Sequence, residues 1–245
     1  GDHDHAIAGI SRELGDLCSW SGGRMFEMID HYQRALDSGH CDSHALVYLR
    51  GALSRAATEM RFHDDAISHA RRAMALSKSH DCTPCETSAT GALAIALERA
   101  HRNREAGELF DKLAELGKQQ NRMSLVARAM LGQARLMMDE NPEAARTLAL
   151  DALGVASDDK VRIVVRIANE TLARIARRMG DHALAAKYLE AAIDLARDLV
   201  SMSNVYRMQR VMAQDLIALG RASEAVALLA ENGWVADVRT ADSPD

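Results

Sequence analysis

The spacing of apolar positions divides the chain into five short segments of one design: HDDAISHARRA, NREAGELFDKL, NPEAARTLALDA, DHALAAKYLEAA and RASEAVALLAEN. Each carries an alanine near its start, at Ala66, Ala106, Ala145, Ala185 and Ala225, with intervals of 40, 39, 40 and 40 residues. Four residues later stands Ala70, Phe110, Ala149, Leu189 or Leu229; seven later stands Ala73, Leu113, Ala152, Ala192 or, breaking the pattern, Asn232. Offsets of four and seven fall on one helical face, and the small residue lets a partner helix come close. A second helical stretch precedes each segment, over 43–60, 84–100, 124–138, 160–179 and 204–219. A weaker sixth pair fits 6–20 and 24–37.

Punctuation agrees with this reading. Gly180 and Gly220 sit in the turns MGD and LGR, where a helix ends on a left-handed residue. Pro84 and Pro142 follow Thr83 and Asn141, as proline does at the first helical position. The helix breaks are therefore expected near 21–23, 61, 101, 140, 180 and 220. A lone hairpin cannot bury its apolar face, so hairpins of one period stack into a solenoid. The expected fold is all-α, with about six helical hairpins in one domain over 1–235 and a polar tail or linker at 236–245.

Composition narrows the picture. Of 245 residues, 48% are hydrophobic and only 4% aromatic, which suits a helical globular chain and excludes disorder. A net charge of −5 offers no global attraction to nucleic acid or an anionic membrane. No apolar run reaches the length of a bilayer span. The start GDHDHAIAGI is polar and opens on Gly, so the chain reads as a piece of a longer protein, and the polar end RTADSPD suggests that the solenoid continues. The cytoplasm is the favoured compartment, with the periplasm the alternative where a longer parent chain carries a signal or transmembrane segment. No Gly-rich phosphate loop, G-x-S-x-G or H-E-x-x-H occurs, and the acidic pairs Asp64–Asp65 and Asp158–Asp159 fall at turns, where they cap helices. No enzyme is expected.

A turn Gly, an Ala five residues on, a bulky residue four later and an Ala three after that resembles the tetratricopeptide repeat (TPR) pattern. MGDHALAAKYLEAAIDLA carries it through Gly180, Ala185, Leu189 and Ala192, and the resemblance extends over roughly residues 40–231. The period is near 40, and Arg61, His101 and Glu140 stand where three repeats would hold the turn Gly. Long repeats of this kind are similar to sensor or interaction regions of multidomain bacterial signalling proteins, such as diguanylate cyclases and maltose-regulator-type activators. The resemblance implies a right-handed superhelix whose inner groove is lined by the first helix of each hairpin. It places Tyr48, Gly51, Arg55 and Thr58, then Ser88, Gly91, Ile95 and Glu98, on that face. Ala127, Met130, Ala134 and Met137 follow, then Ile167, Glu170, Arg174 and Arg177, then Arg207, Arg210, Gln214 and Ile217. The groove is thus expected to be Met-rich in the middle, with Arg174, Arg178, Arg207 and Arg210 clustered beyond. Met123, Met130 and Met137 read either as inter-hairpin packing or as an adaptable apolar pocket. The arginines read either as a solvated face, with Glu170 four residues before Arg174, or as a site for acidic groups.

Two matching loops hold the candidate metal chemistry. SKSHDCTPCETSATG, at 77–91, carries His80, Cys82 and Cys85. TPCE reads as a capping box with Thr83 at the N-cap and Glu86 at N3, so Cys85 falls in a first helical turn, where the dipole favours a thiolate. One repeat earlier, SGHCDSHAL carries His40, Cys41 and His44. Equivalent loops of a solenoid lie along one edge, about 10 Å apart. Three outcomes stay open: free thiols in a polar loop, a Cys82–Cys85 or Cys41–Cys82 disulfide, or tetrahedral zinc held by Cys41, Cys82, Cys85 and His40 or His80. Cys82–Cys85 resembles thioredoxin's C-x-x-C locally but lacks its βαβ setting. Cys18, among Leu14, Leu17 and Trp20, reads as a core residue.

The functional expectation is a non-catalytic module that binds a peptide or protein segment, acidic with apolar anchors, as the input part of a larger signalling protein. The alternatives are a small-effector sensor and a metal- or redox-responsive module. An open groove, a closed pocket, and paired or metallated cysteines distinguish the three.

Overall fold

The computed structural model describes residues 9, 11–15, 25–80, 82–158, 161–199 and 202–230, and among them every regular element is an α-helix. In chain order these are α1 Met25–Asp37, α2 Ser43–Glu59, α3 His63–Ser79, α4 Thr83–Arg99, α5 Asn103–Gln119 and α6 Met123–Met137. They continue as α7 Pro142–Asp158, α8 Arg162–Arg178, α9 His182–Asp198, α10 Met202–Ala218 and α11 Ala222–Ala230. A short helical stretch at 11–15 meets α1, where Gly15 leaves room for the Tyr32 ring. The expected break at 21–23 and Cys18 lie outside the described residues.

Each helix packs on the next, and in addition α2 packs on α4, α4 on α6 and α6 on α8. The first helices of the hairpins therefore form the inner layer of a solenoid, and α3, α5, α7 and α9 the outer layer. The repeated alanines explain this. Ala66, Ala70, Ala73, Ala106, Ala145, Ala149, Ala152, Ala185 and Ala192 have no exposed surface, so helix backbones approach over a narrow small-residue seam. Phe110 breaks the seam with a large ring, and Gly132 on α6 makes room for it: a Cβ there would lie 2.3 Å from Phe110 Cε1.

The hairpin turns share one geometry. At Gly180 and Gly220 the backbone is left-handed, with φ of 80° and 74°, and the next N–H reaches back five residues, Asp181 to Ala176 and Arg221 to Leu216. This is the Schellman closure of a helix end. Arg61 and His101, where glycine is absent, adopt the same conformation, with φ of 63° and 58°, and the same closure, Phe62 to Ala57 and Arg102 to Leu97. A side chain pays steric strain there. The turn at 138–140 departs from the set, and no left-handed residue closes it.

Helix starts are capped by Asp42, Asn141 and Asp181, which accept the N–H groups of Ala45, Ala144 and Leu184. The start of α4 corrects the capping-box reading. The N-cap is Cys82, not Thr83, and its sulfur accepts the Cys85 N–H at 3.2 Å.

Candidate functional site: an arginine-lined inner groove

The inner layer brings the arginines together, with a different membership from that expected. The centre is Arg135 on α6. Its Nε and Nη2 donate to the two oxygens of Glu98 on α4, both at 2.7 Å, and its guanidinium lies over the Phe110 ring at 5.9 Å from the centroid. Burial alone would raise the Glu98 carboxyl, but the Arg135 charge and its two hydrogen bonds hold it below the ordinary value. This pair is nearly dry, with side chains 11% and 7% exposed, and it ties α4 to α6.

Arg128 and Arg174 lie close enough to feel the Arg135 charge. Both are half-buried, and neither has a hydrogen bond or ion pair among the described residues. The Arg174 guanidinium is pushed down to about 10, first by burial and then by Arg135 and Arg99, with Glu98 pulling the other way. Arg128 is also lowered, by burial and then by Arg55, Arg135 and Arg122. Gly91, with no side chain, leaves space beside the Arg128 guanidinium. Both groups stay charged at neutral pH, so each is a desolvated cation facing other cations. Beside Arg128 and Arg135 lies a notch of about 40 Å³, lined by Gly91, Ile95, Phe110, Leu113, Arg128, Arg135 and Ile167. A wider depression of about 620 Å³ lies at the α4–α5 turn, around His101 and Arg104. It is an open surface whose Arg102 is already paired with Glu105, so the chemistry is at the inner notch.

The other arginines have internal partners. Glu170 does not pair with Arg174, as its spacing had suggested. It is bonded by Arg166 on its own helix and by Arg207 from α10, the latter at 2.7 Å. Arg166 is pushed to about 10 by burial and then by Arg207, against which Glu59 of α2 acts in the opposite sense. Arg177 and His182 both donate to the fully buried Asp215, each at 2.8 Å, and Arg177 also donates to Gln214 at 3.1 Å. Arg178 pairs with Asp139 at 2.9 Å. Arg55 and Arg210 are exposed. Tyr48 is exposed, its ring edge-on to that of Tyr32 at 6.4 Å.

The methionine stripe divides. Met130 and Met137 are half-buried and pack on the core shared by α6, α7 and α8, whereas Met123 is exposed. Arg174, for which a solvated face was one of the two readings, is half-buried.

The cysteine loops do lie on one edge, because His44 at the start of α2 touches the start of α4. Its Nδ1 is 3.5 Å from Cys82 Sγ and 3.3 Å from Cys85 Sγ. Cys82 and Cys85 form a disulfide. Two of the proposed metal ligands point elsewhere: Cys41 is a free thiol donating to Ala35 O, and the His40 ring bonds Ser38 O at 2.5 Å. Burial first, then Asp42, raises the Cys41 thiol.

No family model matches the sequence, and no curated protein is detectably similar to it. Solved structures are similar in fold. One is a Rap protein complexed with competence and sporulation factor, with a TM-score of 0.73 at 13% identity over 93% of this chain. Another is NprR in complex with its cognate peptide NprX, with a TM-score of 0.74 at 14% identity over 91%. A third is a signal transduction ATPase with numerous domains from Pyrococcus horikoshii, which carries a tetratricopeptide repeat sensor, with a TM-score of 0.59 at 14% identity over 96%. The chain spans 65%, 64% and 36% of those three proteins. The fold is therefore a TPR-like solenoid. Among the described residues no helix is long and apolar enough to cross a membrane.

Proposed function

We propose that the chain is a non-catalytic peptide-binding module, the sensory or interaction part of a larger signalling protein, whose groove takes an acidic segment with a small apolar anchor. The observation that carries this reading is the pair Arg128 and Arg174. They are two desolvated guanidiniums with no hydrogen-bonded carboxylate among the described residues; Arg128 lines an apolar notch, and Arg174 lies close enough to Arg135, which also lines it, to feel its charge. A carboxylate entering there would supply the missing partner through a forked, charge-assisted contact, while an aliphatic tip would fill the notch. The fold likeness to Rap and NprR, each solved with a bound factor or peptide, supports a peptide as the ligand class. The small volume of the notch, about 40 Å³, suits the tip of one side chain of an extended segment rather than a whole small effector.

Fluorescence anisotropy with a library of short peptides tests this. Peptides with two acidic residues around one aliphatic residue should bind, and their affinity should fall as salt rises. Arg128→Met and Arg174→Met should each weaken binding at least about tenfold, the loss of a buried charged contact being of that order or larger. Equal affinity for acidic, neutral and basic peptides, or unchanged affinity in both variants, rules the reading out.

A further inference from the structure

We propose that Cys82, Cys85 and His44 form a redox-gated zinc site that links the start of α2 to the start of α4. Their ligand atoms all lie within 4.8 Å of one another. Tetrahedral zinc, with Zn–S of about 2.3 Å and Zn–N of about 2.0 Å, sets sulfur and nitrogen about 3.5 Å apart. The disulfide form holds Cys82 Sγ and Cys85 Sγ at 3.5 and 3.3 Å from His44 Nδ1, so the imidazole already stands beside both sulfurs. The two sulfurs of such a site lie about 3.8 Å apart. Side-chain rotation reaches that separation from Cα atoms 5.2 Å apart. The C-x-x-C spacing is that of structural zinc ligand pairs.

The surroundings suit thiolates. Both cysteines sit at the N-terminus of α4, where the helix dipole stabilises negative charge, and the Cys85 N–H already donates to Cys82 Sγ. Such an N–H is the kind of outer contact that orients a metal ligand. His44 is exposed, so the fourth coordination position faces solvent and takes water.

The disulfide and the metal exclude each other. A dithiol donor delivers two electrons and two protons to the Cys82–Cys85 bond and closes its own disulfide; the bond breaks to two thiols. Zinc then displaces both thiol protons to solvent and accepts the two sulfurs and His44 Nδ1. The consequence is structural. The disulfide is confined to the first turn of α4, whereas the metal cross-links α2 to α4 across 38 and 41 residues of chain. Because α4 carries Gly91, Ile95 and Glu98, the reduced, metal-loaded state braces the helix that forms one wall of the notch.

The test uses the 245-residue chain, either oxidised or reduced with a phosphine and freed of reductant without oxygen. Each form is titrated with zinc and with cobalt. The reduced chain should bind one zinc, and its cobalt form should show a thiolate-to-metal charge-transfer band together with the d–d bands of a tetrahedral ion. That signature separates the site from histidines in the opening GDHDH. The oxidised chain should show neither. His44→Ala, at an exposed position, should fold normally and lower affinity at least about tenfold, and Cys41→Ser should change nothing. Cys85→Ser removes a buried group and is read only alongside its melting curve. The proposal is overturned if the reduced wild type gives no thiolate band, if His44→Ala binds zinc as tightly as wild type, or if Cys41→Ser abolishes binding.

Discussion

Arg174→Met separates a functional cation from a structural one. Methionine keeps much of the aliphatic stem and removes the charge. In the folded chain the guanidinium is pushed well below its ordinary value, to about 10, by burial and then by Arg135 and Arg99. Each unit is worth about 1.4 kcal/mol, and with solvent reaching a half-buried group the penalty is on the order of 1–2 kcal/mol. The sign follows from linkage. A cation lowered in the folded state destabilises it wherever both states are charged, so the penalty is fully present at neutral pH and is relieved only as pH rises through about 10. Removing the charge should therefore raise stability, moving Tm up by about 2–8 °C for a domain of this size, while acidic-peptide binding falls. Differential scanning calorimetry and anisotropy on the same preparation measure both. A variant that melts lower and binds equally well would refute the reasoning, because Arg174 would then be held by contacts that the structure does not contain.

Four further outcomes are expected. Arg135→Met should cost about 3–5 kcal/mol in chemical denaturation, because it strands the buried Glu98 carboxylate, while the double variant Glu98→Met/Arg135→Met should return near wild type. Glu98 is held below the ordinary carboxyl value by Arg135, so the pair stabilises the fold above the usual Glu range and loses this as pH falls through it. Wild type should thus lose more stability than the double variant between about pH 5 and pH 3. Gly132→Ala should cost about 1–3 kcal/mol by forcing a Cβ into the Phe110 ring, and Phe110→Ala should cancel much of that cost in a double-mutant cycle. Arg61→Gly should stabilise by about 0.5–1 kcal/mol, since Arg61 pays for a left-handed backbone that glycine adopts freely, whereas the same change at the exposed Arg71, inside α3, should destabilise by a similar amount.

The architecture was legible because its signal repeats. An alanine recurring at a fixed offset from each turn marks a seam that only close-packed helices need, and the five expected turns that lie within the described residues, near 61, 101, 140, 180 and 220, all fell in their expected places. The site was less legible, for a geometric reason. The expected inner positions of α6 included Ala127 and Ala134, and both are fully buried against neighbouring helices. The groove-facing arginines, Arg128 and Arg135, are the next residue along, so the helix is rotated by about one position relative to the family pattern. Their seven-residue spacing was a visible signal, masked by the methionines at the same spacing. Partner choice was invisible for another reason. Glu170 is bonded by Arg166 and by Arg207 of a different helix, and long side chains select across helices according to packing that local spacing does not encode. At the metal candidate, His40 precedes its helix and turns to Ser38 O. His44 lies in the first helical turn of α2, and that placement aims its ring at α4.

The distribution of charge gives the groove its direction. The chain is net −5, yet its inner face concentrates Arg128, Arg135, Arg166, Arg174 and Arg207 against Glu98 and Glu170. Folding alone gives no reason to gather like charges at a partly desolvated surface, because burial and then neighbouring guanidiniums lower Arg128, Arg166 and Arg174, and the alanine seams already hold the hairpins together. Two carboxylates placed among five guanidiniums do a different job. They lock Arg135, Arg166 and Arg207 in position and leave Arg128 and Arg174 without partners. A ligand that brings two negative charges completes the set, and its binding recovers the electrostatic cost already paid in folding. The same reasoning orders the ligand along the groove. On the proposed reading one acidic group pairs with Arg128 of α6 and the other with Arg174 of α8, with the apolar anchor at the notch that Arg128 and Arg135 line, so a peptide with both acids on one side of its anchor should bind more weakly than its rearranged isomer.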